Sequence, residues 1–154
     1  MQQSIKGVVA GTVVLSLIIP PGVFLWVALT SGMPVAESVS ALFAQYLSRK
    51  QNLLMVSLLS LLPVVLMVLL AWLIPKAKRL AVSGRDLALG GAAGIVLVNI
   101  WMNVEYWPTF LPEMTYAGFP HGLEFVIGPI FHAPVAMAVG MFAVGLARRR
   151  RVVT

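Results

Sequence analysis

Sixty per cent of the 154 residues are apolar, ten per cent are charged and the mean hydropathy is +0.95. Soluble domains carry about 25% charged residues, because charge keeps a folded surface in water; this composition excludes a water-facing fold and calls for lipid. The absence of cysteine excludes disulfides, thiolate metal centres and thiol nucleophiles, and the net charge of +6 (11 Lys and Arg against 5 Asp and Glu) lies in short blocks beside apolar runs, a pattern that orients membrane proteins and argues against nucleic acid as a partner.

The first apolar run covers residues 7–31, behind Lys6. Its length exceeds the roughly 7–15 residues of a signal-peptide core, so it reads as an uncleaved span. The segment from Glu37 to Lys50 repeats Val39, Leu42, Phe43, Tyr46 and Leu47 at helical spacing, the pattern of an amphipathic helix lying in a membrane interface. A leucine-rich run over residues 53–74 ends at Pro75, ahead of Lys76, Lys78 and Arg79. The third run, residues 87–104, opens on Gly90-Gly91-Ala92-Ala93-Gly94. A loop from Glu105 to His121 follows, without Lys or Arg but with Tyr106, Trp107, Phe110, Tyr116 and Phe119. The fourth run, residues 122–147, ends in Arg148 to Arg151. Each run approaches or exceeds the length that crosses a hydrocarbon core of about 30 Å, and within lipid such runs must be helical to pair their backbone groups. The expected fold is therefore an all-α membrane protein: a single domain over residues 1–154, built as a four-transmembrane-helix bundle with an interfacial helix between the first two spans.

Nine Lys and Arg residues fall on the side of the N-terminus (Lys6, Lys76, Lys78, Arg79, Arg85 and Arg148 to Arg151), against Arg49 and Lys50 on the other. The positive-inside rule then predicts both termini in the cytoplasm, and a compact bundle of this kind suits a bacterial inner membrane. Small residues four apart predict close helix contacts: Gly7 with Gly11 in the first span, Gly90 with Gly94 in the third, Ala136 with Gly140 in the fourth. The second span lacks such a pair and is expected at the periphery. Pro20, Pro21, Pro63, Pro129 and Pro134 lie within spans, where each removes a backbone bond.

Ionisable groups within a bilayer are costly and point to function. His132, counted about ten residues into the fourth run, is expected near the midplane, bonded to a carbonyl freed by Pro129 or Pro134 or serving a haem or quinone. His121 and Glu124, three apart, converge with Glu105 if the third and fourth spans are neighbours; two carboxylates and an imidazole suit Zn²⁺ or Mn²⁺. His121 and His132 are eleven residues apart, about 16 Å along one helix, and cannot flank one haem. No nucleotide-binding loop, nucleophile elbow or HExxH motif is present. The expected role is that of a non-catalytic membrane subunit packing with other membrane proteins or with itself. The alternatives are a small transporter or oligomeric channel using proline-broken helices, and an electron-transfer subunit organised by His132. The identity of any cofactor is open at this level.

Overall fold

The computed structural model describes residues 2–47, 52–74, 83–109, 111 and 127–153. Among them the chain is helical without strands. Four helices are long and apolar enough to cross a membrane: Ile5–Thr30, Leu53–Leu73, Gly84–Tyr106 and Gly128–Ala147. The fold is an all-α bundle of four apolar helices, the architecture of an integral membrane protein.

Helix α1 (Gln2–Thr30) stays continuous through Pro20 and Pro21. It ends in a turn in which Gly32 N–H bonds Leu29 O at 3.1 Å and Met33 N–H bonds Ala28 O at 3.1 Å. That paired closure needs a left-handed residue, and Gly32 supplies it at φ 87°. Helix α2 (Val35–Leu47) follows and turns two apolar faces in different directions. Ala41, Leu42 and Tyr46 pack on the bundle, whereas Val35, Val39, Phe43 and Leu47 form an exposed stripe one turn apart.

The second span is two helices, α3 (Asn52–Leu59) and α4 (Leu62–Leu73). They part at Ser60 and Leu61, where Pro63 cannot donate to the carbonyl one turn back and Leu61 N–H bonds Leu58 O instead, at 3.1 Å. Helix α5 (Gly84–Tyr106) begins three residues before the expected run because Ser83 caps it: its hydroxyl accepts from Asp86 N–H at 3.2 Å and donates to the Asp86 carboxylate at 2.9 Å. A 3₁₀ turn, Trp107–Thr109, closes it. The last span opens with a π-helical turn, Gly128–His132, and continues as α6 (Ala133–Val153).

Helix α5 sits between α1 and α6. It runs parallel to α1, since Asn99 meets Ser16 and Trp107 meets Phe24. It runs antiparallel to α6, since Gly90 meets Gly140 and Gly94 meets Ala136. Two apolar cores fill the bundle. One, at the Trp107 end, joins Phe24, Val27, Ala28, Leu53, Val56 and Met102. The other, at the Ser83 end, joins Val64, Met67, Ala71, Ala88, Ile95 and Met137. The second span enters both cores and has a larger buried share than the first or fourth, which corrects its expected peripheral place. It needs no small-residue pair of its own. Met67 is fully buried and lies under Gly91, where a Cβ would stand 2.9 Å from its Cγ, so a flexible side chain fills the space a glycine leaves.

Candidate functional site

The small-residue positions divide into two groups. At Gly90 a Cβ would collide with the Gly140 carbonyl and come within 2.7 Å of its carbon. At Gly94 it would collide with the Ala136 carbonyl and stand 2.7 Å from Met137 N. Here two backbones touch, as close helix association in lipid requires. Gly7 and Gly11 have the same spacing, yet among the described residues no other helix comes within 4 Å of a Cβ built at either. The expectation that they pack the first span inside this chain is corrected. The packing face of α1 is instead Thr12, Ser16, Ile19, Pro20, Phe24, Val27 and Ala28, all buried.

That face meets a buried polar ladder on α5. Asn99 donates through Nδ2 to Ser16 Oγ at 3.4 Å. Asn103 Nδ2 donates to the Asn99 carbonyl at 2.7 Å, and Trp107 Nε1 donates to Asn103 Oδ1 at 3.0 Å. Ser16, Asn99, Asn103 and Trp107 are each at most 1% exposed. The ladder lies beside Pro20, which cannot donate to the Ser16 carbonyl, so the polar side chains of α5 are set against a stretch of α1 where a proline interrupts the helical bonding. Thr12 instead closes on its own helix, its hydroxyl donating to Val8 O at 2.7 Å. Ser57, in α3, is buried with no hydrogen-bond partner for its hydroxyl among the described residues.

The candidate site is a groove of about 420 Å³ on the outside of the bundle, lined by Trp101, Met102, Glu105, Tyr106, Ile127, Gly128 and His132. The π-helical turn forms one wall. Its N–H closure runs from Ala133 to Gly128 O, five residues apart, a geometry suited to a segment between Pro129 and Pro134, where the ordinary four-residue closures cannot all form. Gly128 is buried against Met102, whose thioether occupies the space a Cβ would take. The other wall is the last two turns of α5.

His132 is exposed, and its ring lies edge-on to Trp101 with centroids 5.8 Å apart and planes at 76°. Trp101 is five residues from Tyr106, where α5 ends, or about 7.5 Å along the axis. His132 therefore lies in the third of the bundle nearest the Trp107 end, whereas the middle of α5 falls near Ile95. This corrects its expected midplane position. Among the described residues its ring makes no hydrogen bond; the π turn faces it outward.

Glu105 is exposed on the same groove, one turn from Trp101, and makes no ion pair among the described residues. His121 and Glu124 lie outside the described residues, so the triad with Glu105 is not part of the groove as described. No group of three His, Asp or Glu side chains gathers at one point among the described residues. That Glu105 and His132 line one groove was not anticipated from the sequence. Its signal was the pair of prolines five residues apart, which marks a widened turn that leaves His132 exposed beside Trp101.

Protein-family models, curated proteins and solved structures give no match to the chain.

Proposed function

We propose that this chain is a non-catalytic subunit of a membrane complex, held in a bacterial inner membrane with both termini cytoplasmic, and that α1 carries its lateral contact. The observation supporting this reading is the outward stripe of α1. Gly7, Gly11, Val14, Ile18 and Gly22 fall within about 80° of the helix circumference, all are exposed, and among the described residues no other helix comes within 4 Å of a Cβ at any of the three glycines. Glycine costs a helix roughly 1 kcal/mol relative to alanine, and toward lipid it returns nothing. Against another helix it permits the backbone contact that Gly90 and Gly94 make with α6. The orientation rests on charge: Lys6, Arg85 and Arg148 to Arg151 belong to helix ends on one side of the bundle.

The test is co-purification and cross-linking in mild detergent of the full chain and of Gly7→Leu and Gly11→Leu. The expected result is loss of a second subunit, or of a second copy, while the melting temperature of the chain itself is unchanged. Retention of every cross-linked species by both variants refutes the reading.

A further inference from the structure

From the groove between α5 and the π turn we infer a binding site for the ammonium headgroup of a phospholipid from the leaflet at the Trp107 end. This inference is independent of α1 and its stripe.

The groove lies on the flank of two helices long and apolar enough to cross a membrane, so lipid is the ligand class that reaches it. Its volume of about 420 Å³ holds a headgroup and glycerol but not two acyl chains, which would lie along the exposed apolar surface of Ile130 and Phe131. Two polar groups stand on a mostly apolar wall, in a fixed order. Glu105 is next to the end of α5, and His132 is one turn deeper beside Trp101, a spacing of about 6 Å along the membrane normal. A phospholipid with an amine headgroup presents its groups in the same order: ammonium outermost, phosphate and ester oxygens below. The carboxylate of Glu105 has no cation of its own among the described residues, and it complements the ammonium. Trp101, 52% exposed, adds a ring face that attracts a cation. An imidazole N–H at the depth of His132 donates to a phosphate or ester oxygen.

Other occupants fit less well. A quinone turns carbonyl acceptors toward Glu105, which is itself an acceptor, so it satisfies His132 and repels the carboxylate. An anionic lipid repels it outright. An exposed carboxylate at membrane level, without an ion pair among the described residues, is costly unless something cationic covers it, and the ammonium of a zwitterionic lipid is a cation that the chain meets without any partner protein.

The full chain is reconstituted in nanodiscs containing equal phosphatidylethanolamine and phosphatidylglycerol, released into the gas phase, and the lipids retained per protein are counted by native mass spectrometry. Wild type is expected to retain phosphatidylethanolamine over phosphatidylglycerol by about tenfold, the ratio that one charge-assisted contact supplies. Glu105→Gln, at an exposed position, should reduce that ratio to near one, and Trp101→Leu should lower it severalfold. Glu37→Gln, on the exposed surface of α2 at the same end, should leave it unchanged. Melting curves of each variant establish that it is folded. No headgroup preference in wild type overturns the proposal, and so does a preference that survives in folded Glu105→Gln. Displacement of bound phosphatidylethanolamine by a short-chain benzoquinone equally from wild type and Glu105→Gln overturns it in favour of a quinone.

Discussion

Replacing Gly94 by alanine adds one carbon at the tightest seam of the bundle. That carbon would overlap the Ala136 carbonyl oxygen and stand 2.7 Å from Met137 N. Non-bonded carbon contacts are most favourable at about 3.5–4.0 Å, so α5 and α6 must part locally by about 1 Å. Forcing an extra methyl into a packed interior costs about 1–3 kcal/mol. Alanine also favours helix over glycine by roughly 1 kcal/mol, which would mask part of that cost. Gly11→Ala removes the ambiguity, since it carries the same propensity gain at a position with nothing within 4 Å. The difference between the two variants therefore isolates the clash: Gly94→Ala should be less stable than Gly11→Ala by about 1–3 kcal/mol. The assay is reversible unfolding of each purified variant in mixed detergent micelles with increasing dodecyl sulfate, followed by circular dichroism. Equal stability of the two variants would refute the backbone contact between α5 and α6. Gly94→Leu should amplify the effect, while Leu66→Ala, at a position 36% exposed, should fall near wild type.

Asn103→Leu removes the Oδ1 that accepts from the buried Trp107 Nε1–H, an expected loss of about 1–3 kcal/mol in the same unfolding assay; stability equal to wild type would show that this bond contributes nothing. Ser57→Ala should be neutral or stabilising by up to about 1 kcal/mol, because it removes a buried hydroxyl that has no partner; a clear loss of stability would mean the hydroxyl is bonded after all. For orientation, single cysteines introduced into this cysteine-free chain at Ser40 and Ser83 should be labelled from the periplasm and the cytoplasm respectively. Labelling of Ser40→Cys from the cytoplasm in intact cells would overturn the assignment of the termini.

The four spans were legible because an apolar run of sufficient length in this composition has few other solutions, and α2 because its apolar residues recur at helical spacing. Contact partners were not. Gly7 with Gly11 and Gly90 with Gly94 are identical as patterns; only the second pair meets a helix within the chain, since α5 is the central helix whereas the packing face of α1 is chosen by Thr12, Ser16 and Pro20. The lack of a small-residue pair misplaced the second span because Met67 and Ala71, on the face opposite its exposed leucines, carry it into the core. His132 was misplaced along the membrane normal because its depth was counted from residue 122, whereas its level is set by Trp101. Asn99 meets Ser16 because α1 runs parallel to α5, an orientation that spacing does not encode.

The π turn at Gly128–His132 also bears on how this chain tolerates insertion and deletion. A five-residue closure is an α-helical turn with one residue added. Removing a single residue between Gly128 and His132 would let the backbone relax to ordinary α-helix, while Ala136 and Gly140 kept their places against α5. Everything before the deletion would then turn by about 100° about the helix axis. Gly128 would leave Met102, and the wall facing Trp101 would be presented by a different set of side chains. The seam and the groove are thus separately heritable: one lost residue can erase the second without disturbing the first.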